Sequence, residues 1–168
     1  PKDLRALNWL AKSLDVEVPL LNSIAPGNER QIKNAVQLVL GKGRRRVGVL
    51  GIAFKGGTDD LRESPVVTLI ETLLGKGYDL RLYDGHVSLA KLIGANKRFI
   101  QEHIPHLDRL MVASIDEVIA HAELLIVGNE SAEFFAALEK LRPGQHVIDL
   151  TPSGRSVKTP ASYERVTG

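Results

Sequence analysis

The sequence contains no cysteine in its 168 residues. That excludes a disulfide framework, a thiolate-ligated zinc or iron–sulfur site, and any thiol chemistry carried by these residues. Aromatic residues are scarce, at 5%, so few side chains are offered for stacking on nucleic-acid bases. No apolar run approaches the roughly 20 residues of a membrane span. No signal peptide opens the chain. The expectation is a cytoplasmic protein with no membrane partner. Charge of one sign is also lacking: 22 Lys and Arg stand against 20 Asp and Glu, a net charge of +2. The one dense basic run, Lys42 and Arg44-Arg45-Arg46, sits just before an apolar segment and reads as a solvated junction, with no nucleic-acid partner expected. His86, His103, His106, His121 and His146 have no metal-ligand spacing such as H-E-x-x-H, so no metal site is expected. Ser153-Gly154 lacks a G-x-S-x-G context. There is no initiator Met, and the opening Pro1-Lys2-Asp3 is read as the start of a fragment or processed chain.

What is present is an ordinary globular composition, 43% hydrophobic and 25% charged. A chain of this length buries about 70% of its unfolded surface without disulfides or metals. Two regions differ in pattern. In residues 1–43, Leu4, Leu7, Trp9, Leu10 and Leu14 recur at helical spacing, with Asp3 as a candidate cap. Val18-Pro19 and Ala25-Pro26-Gly27 are expected to break the chain. Asn28 is then a candidate second N-cap, before a helix striped by Ile32, Ala35, Val36, Val39 and Leu40 and ended by Gly41 and Gly43. That stripe needs a surface to pack on: the second region, another domain or a second subunit.

From about residue 46, short apolar runs alternate with helical patterns. Strands are expected at 47–53, 78–83, 110–112, 124–127 and 146–150. Helices are expected after Ser64-Pro65 to about Lys76, over roughly 87–94, over 115–121 behind a Ser114 cap, and over 131–141. Residues 151–168 read as a polar, loosely ordered tail. Trp9 and Met111 read as packing residues. Strands separated by helices need crossover connections, hence an α/β fold: a Rossmann-like open parallel sheet with helices on both faces, spanning 44–150, preceded by the helical segment 1–43.

In such a sheet, ligands bind beyond the carboxyl ends of the strands. The segment there is Phe54-Lys55-Gly56-Gly57-Thr58-Asp59-Asp60-Leu61-Arg62-Glu63-Ser64-Pro65. Two adjacent glycines permit close backbone approach. Lys55 and Arg62 bring two cations, and a helix N-terminus lies behind them. These suit a phosphate or diphosphate, although a purely structural strand–helix loop is the alternative. Asp59, Asp60 and Glu63 offset the charge and are candidates for ribose hydroxyls or for helix capping. The G-x-G-x-x-G dinucleotide fingerprint is absent. Asp84 ends the second strand where a ribose-binding acid would lie, but a lone Asp there is more often a turn residue.

The run G-V-L-G-I-A-F-K-G-G-T-D-D-L-R-E-S-P (48–65) resembles the C-terminal domain of the UDP-glucose/GDP-mannose dehydrogenase family, and the opening P-K-D-L-R-A-L (1–7) agrees with it. Gly94-Ala95-Asn96-Lys97 and Ile104-Pro105-His106 resemble the GDP-mannose branch. The resemblance reaches about Leu150. It implies an NAD-binding domain upstream of this chain, a central helix used in dimerisation, here over 28–41, and a sugar-nucleotide domain. It implies a two-step, four-electron oxidation of the sugar C6 alcohol to a carboxylate, in polysaccharide biosynthesis, with NAD as cofactor and GDP-mannose or a related sugar nucleotide as substrate. The family cysteine, which forms a covalent adduct and then a hydrolysable thioester, falls two positions before Pro1, so the chain alone is expected to be inactive. By the same resemblance Asp3 is catalytic, assisting water and proton chemistry. Phe54 and Lys55 bind the sugar nucleotide, and Arg62 and Lys2 contact NAD. Two other readings stay open: a UDP-glucose-type domain, and a non-catalytic nucleotide-binding or dimerisation module.

Overall fold

The computed structural model describes residues 2–87, 98, 100, 102, 105–152 and 157–166. The expected helix over 87–94, the Gly94–Lys97 and Ile104 resemblances, His103 and the Ser153-Gly154 pair lie wholly or mostly outside them. Five strands form one sheet: β1 (Arg46–Leu50), β2 (Asp79–Tyr83), β3 (Leu124–Val127), β4 (His146–Asp149) and β5 (Ser162–Arg165). The order is β2-β1-β3-β4-β5 and every pairing is parallel. This is the expected α/β architecture.

Strand alternation divides the interior in two, because successive side chains point to opposite faces. Val47, Val49, Leu124, Ile126 and Ile148 join one core with α3 (Pro65–Gly75) and the end of α2 (Pro19–Gly41). Leu50, Leu125, Val127 and Val147 join the other, with α5 (Ile115–His121) and α6 (Ala132–Ala137). A four-residue α4 (Leu107–Leu110) packs by β2. The chain thus leaves β1 toward one face and β3 toward the other, which makes the carboxyl ends of these two neighbours the switch point of the sheet.

Several local expectations hold. Ser114 caps α5, accepting from the Glu117 amide at 3.3 Å while its hydroxyl donates to the Glu117 carboxylate at 3.0 Å. Gly41 closes α2, and Gly43 follows with φ +63°.

Others are corrected. Pro26-Gly27 does not break the chain: α2 runs unbroken through Pro26, so Asn28 is interior rather than a cap. A proline inside a helix removes one backbone hydrogen bond, but residues 22–30 are all exposed, so water can take the carbonyl that is released. Asp3 lies inside the first turn of α1 (Lys2–Ser13), where it favours the helix dipole rather than capping it. The strand expected at 110–112 is a single bridge, Leu82 to Met111. The fifth strand comes instead from the tail. Within it, β5 pairs with β4, the Tyr163 hydroxyl bonds the buried Asp149 carboxylate, and Glu164 pairs with Lys42 at the end of α2. Met111 packs against the core, whereas Trp9 is 72% exposed.

The helical stripe is split in the same way. Ala35, Val36 and Val39 are buried, and Val36 and Val39 join the core that includes α3. Leu7, Leu10, Leu14, Leu20 and Ile24 stay exposed. Among the described residues, no helix is long and apolar enough to cross a membrane.

Candidate functional site

The loop from β1 to α3 is built from the inside out. Gly51 takes φ +82°, a region open to glycine. Asp84, buried at the end of β2, accepts hydrogen bonds from the Ile52 and Ala53 amides at 2.9 and 3.2 Å and from the His86 amide at 3.1 Å. Asp84 is therefore a brace for the loop, as its turn reading anticipated. Ser64 sits at the N-cap of α3, but its hydroxyl donates to the Ile52 carbonyl at 2.9 Å, so it caps none of the first-turn amides.

Beyond this brace the loop closes on itself. The Phe54 amide donates to the Asp60 carbonyl at 2.9 Å. The Thr58 amide and hydroxyl both donate to the Lys55 carbonyl, at 3.3 and 2.7 Å. The resulting turn presents Phe54, 53% exposed, and an exposed Lys55 to solvent. Asp60 grips Arg62 through two guanidinium bonds of 2.8 and 2.7 Å and accepts from its amide at 3.1 Å. This hydrogen bonding, and then the charge of Asp60, raises the Arg62 pKa further and keeps the guanidinium cationic. The Asp60 carboxylate is thus engaged in shaping the loop. Glu63, at φ +57°, pairs with Arg5 of α1.

The Arg5–Glu63 pair brings the start of α1 against this loop. Leu4 and Arg5 share with Phe54, Pro65, Gly128 and Leu150 the lining of a cleft of about 670 Å³. Asn8 lines it too, and its Oδ1 is buried and accepts no hydrogen bond among the described residues. Of the sequence-predicted residues, Phe54 lines this cleft, Lys55 and Arg62 stand on the same exposed loop without lining it, and the α1 turn that carries Asp3 lies beside it. Asp3 itself is exposed; the side chain of Lys2 is not among the described atoms.

The backbone packs tightly at the switch point. A Cβ on Gly128 would meet the Gly51 carbonyl oxygen at 2.2 Å, and one on Gly51 would meet the Asn129 carboxamide nitrogen at 2.5 Å. Asn129 was not singled out from the sequence. The usable signal is its place directly after the apolar strand Leu124–Val127 and Gly128. Elsewhere, Arg44, Arg45 and Arg46 are engaged with His146, the Tyr78 ring and Glu123. Among the described residues, no cluster of three or more His, Asp or Glu side chains is placed to hold a metal.

Residues 48–153 match the UDP-glucose/GDP-mannose dehydrogenase family, UDP binding domain. GDP-mannose 6-dehydrogenase from Pseudomonas aeruginosa is 46% identical over 150 residues, covering 89% of this chain and 34% of its own length. UDP-glucose 6-dehydrogenase from Rickettsia typhi is 29% identical over 159 residues, 91% of this chain and 33% of its own. The chain spans about a third of these curated relatives. Among solved structures, a ternary complex of GDP-mannose dehydrogenase from Pseudomonas aeruginosa superposes with TM-score 0.83 at 43% identity, over 97% of this chain and 38% of that one. A UDP-glucose dehydrogenase from Pyrobaculum islandicum gives 0.73 at 28% identity, over 99% of this chain and 36% of that one. The Phe54–Pro65 loop, the parallel sheet behind it and these matches lead to one conclusion: the chain belongs to the UDP-glucose/GDP-mannose dehydrogenase family.

Proposed function

We propose that this chain is the sugar-nucleotide-binding part of an NAD-dependent nucleotide-sugar 6-dehydrogenase that oxidises GDP-mannose to GDP-mannuronate. The observation that carries this reading is the Phe54–Lys55 turn: a cation and an exposed ring held at the carboxyl edge of a parallel sheet, beside a cleft that Phe54 lines. The higher identity to GDP-mannose 6-dehydrogenases than to UDP-glucose enzymes favours the GDP sugar. The UDP-glucose-type domain is the alternative, and the same titration separates the two.

In this reading Lys55 meets the diphosphate, where a charge-assisted hydrogen bond contributes about 1.5–3 kcal/mol. Phe54 closes over the sugar side. Asp3 positions water and accepts a proton as the alcohol becomes a carboxylate. The reaction removes two hydrides and adds the oxygen of one water. When bound, NAD supplies the hydride acceptor, one molecule for each step. Among the described residues Arg62, clamped by Asp60, fits it, offering its remaining N–H groups as a fixed cation; Lys2, next to Asp3 in the sequence, is the second NAD contact of this reading. The thiolate that the oxidation needs comes from outside these 168 residues, so the chain by itself is inactive. A second copy of the chain covers the exposed face of α1 and α2 in a homodimer, in the cytoplasm.

Calorimetric titration with GDP and UDP tests the reading. GDP binds, more tightly than UDP, and Lys55→Ala weakens it by about tenfold or more. Absence of heat with either nucleotide rejects a sugar-nucleotide site, and preference for UDP rejects the GDP branch. Equal binding by Lys55→Ala rejects that residue's role.

A further inference from the structure

Glu63 holds a backbone conformation that its own side chain disfavours. Its φ is +57°, in the left-handed region where a Cβ crowds the following carbonyl oxygen. Among the described residues only Asp15 shares a positive φ without being glycine. Asp15 closely follows the end of α1, where short polar residues readily turn the chain in this way. Glu63 ends no helix. Strain of this kind persists only where the surroundings fix it, and it gathers at functional sites.

Three sets of contacts fix it here. Before Glu63, Asp60 clamps Arg62, and the carbonyl of the fully buried Leu61 accepts from the Ser64 amide at 3.2 Å. After it, the Ser64 hydroxyl donates to the Ile52 carbonyl at 2.9 Å. The third is the ion pair with Arg5, 58 residues away in the first turn of α1. Asp60 carries the constraint onward, because its carbonyl accepts from the Phe54 amide at 2.9 Å. A connected path therefore runs from Arg5 through Glu63, Arg62 and Asp60 to the Phe54–Lys55 turn. Arg5, Glu63 and Phe54 also line one cleft.

We propose that the Arg5–Glu63 pair is a clasp that positions the nucleotide loop. It holds Glu63 in the left-handed conformation and so fixes the Phe54–Lys55 turn and Arg62 against the α1 turn that carries Asp3. Arg5 and Glu63 are thus positioning residues, acting through the loop. The inference rests on the nucleotide reading above. The Arg5 side chain is 69% exposed and that of Glu63 38%, so the pair is partly screened by water and its effect is modest.

A double-mutant cycle tests the clasp. The native chain, Arg5→Gln, Glu63→Gln and the double variant are titrated with GDP by calorimetry and melted without ligand. The separate effects of removing each charge add, whereas the loss of a shared contact is counted once. The double variant is therefore expected to bind GDP roughly two- to fivefold better than the two single losses multiplied together predict. Glu63→Gly separates positioning from folding, since glycine accepts a positive φ but offers Arg5 nothing. It is expected to melt at or above the native midpoint and still to bind GDP more weakly. A pair that served folding alone would leave GDP affinity native in every variant that melts natively. Should Glu63→Gln melt early, the same cycle run with Glu63→Gly decides. Additive effects across the cycle, or native affinity in Glu63→Gly, overturn the proposal and leave the nucleotide reading intact. A native chain that does not bind GDP removes that reading, and this inference with it.

Discussion

The sheet region and the helical region solve the same problem differently. Between β1 and β5, every β3 residue is buried and both faces of the sheet are covered by helices. Between residues 2 and 24, seven large apolar side chains are exposed, against Phe54 alone elsewhere among the described residues. One region has buried its apolar surface within this chain; the other leaves large apolar side chains exposed. The difference separates what maintains the fold from what the fold offers to other molecules. Phe54 is informative because it belongs to the second kind while standing on the first.

The sharpest way to break the sheet region is through its largest buried side chain. Phe134 is 1% exposed and meets the Tyr83 ring edge-on at 6.3 Å between centroids. Phe134→Ala removes this contact and leaves a cavity, with an expected loss of about 3–5 kcal/mol in chemical denaturation. A loss below about 1 kcal/mol would mean that α6 is not part of the cooperative core.

Asp84 tests the border between core and site. Asp84→Ala strands the Ile52 and Ala53 amides, at about 1–3 kcal/mol for each unsatisfied group. Asp84→Asn keeps one acceptor oxygen and is expected to recover part of the loss. If both variants keep full stability but lose nucleotide affinity, Asp84 contacts ligand and the brace assignment is wrong.

The edge strand gives a smaller, pH-dependent effect. Burial, and then the hydrogen bond donated to Asp149, raises the Tyr163 pKa above its ordinary 10.0. The folded chain therefore holds this proton more tightly than the unfolded chain. Its contribution is complete below pH 10 and is lost as the pH rises through the raised value. The melting midpoint is expected to fall more steeply above pH 10 in the native chain than in Tyr163→Phe. Parallel alkaline profiles would show that β5 does not depend on this phenol.

How much of this was legible in the sequence follows from the kind of signal. The Ser114 cap and the Ser64-Pro65 boundary are local, and both elements begin where those residues place them, although the Ser64 hydroxyl serves Ile52 instead of the helix. The alternation of strands and helices is also local, and it carried the fold class. Pro26 misled because breaking depends on whether water can take a released carbonyl, which is a matter of exposure. β5 was hidden because an edge strand needs only one paired side, and Ser-Tyr-Glu-Arg carries the polar residues that suit an edge. In the site, the Phe54–Pro65 run was visible as a motif. The packing of Asn129 behind that loop was not, because it comes from strand order: only the pairing of β1 with β3 sets Asn129 against Gly51 and Gly56.

The smallest effect on this chain alone is expected in the helical region, and there a null result is informative. Trp9 is 72% exposed on α1, beside Leu10 and Leu14 at 47% and 65%. Exposed positions of this kind usually change stability by less than about 0.5 kcal/mol. Trp9→Ser is therefore expected to leave the denaturation midpoint of a dilute sample untouched. At high concentration the two chains should part: sedimentation is expected to show self-association of the native chain, weakened in Trp9→Ser, because an aromatic anchor in a covered apolar patch carries a disproportionate share of the binding energy. If the dilute variant is destabilised by 2 kcal/mol or more, Trp9 belongs to the folded core and the contrast between the two regions fails. If both chains stay monomeric at every concentration, the apolar face of α1 and α2 is not covered by a second copy, and the proposed homodimer is lost while the sheet and its nucleotide edge are untouched.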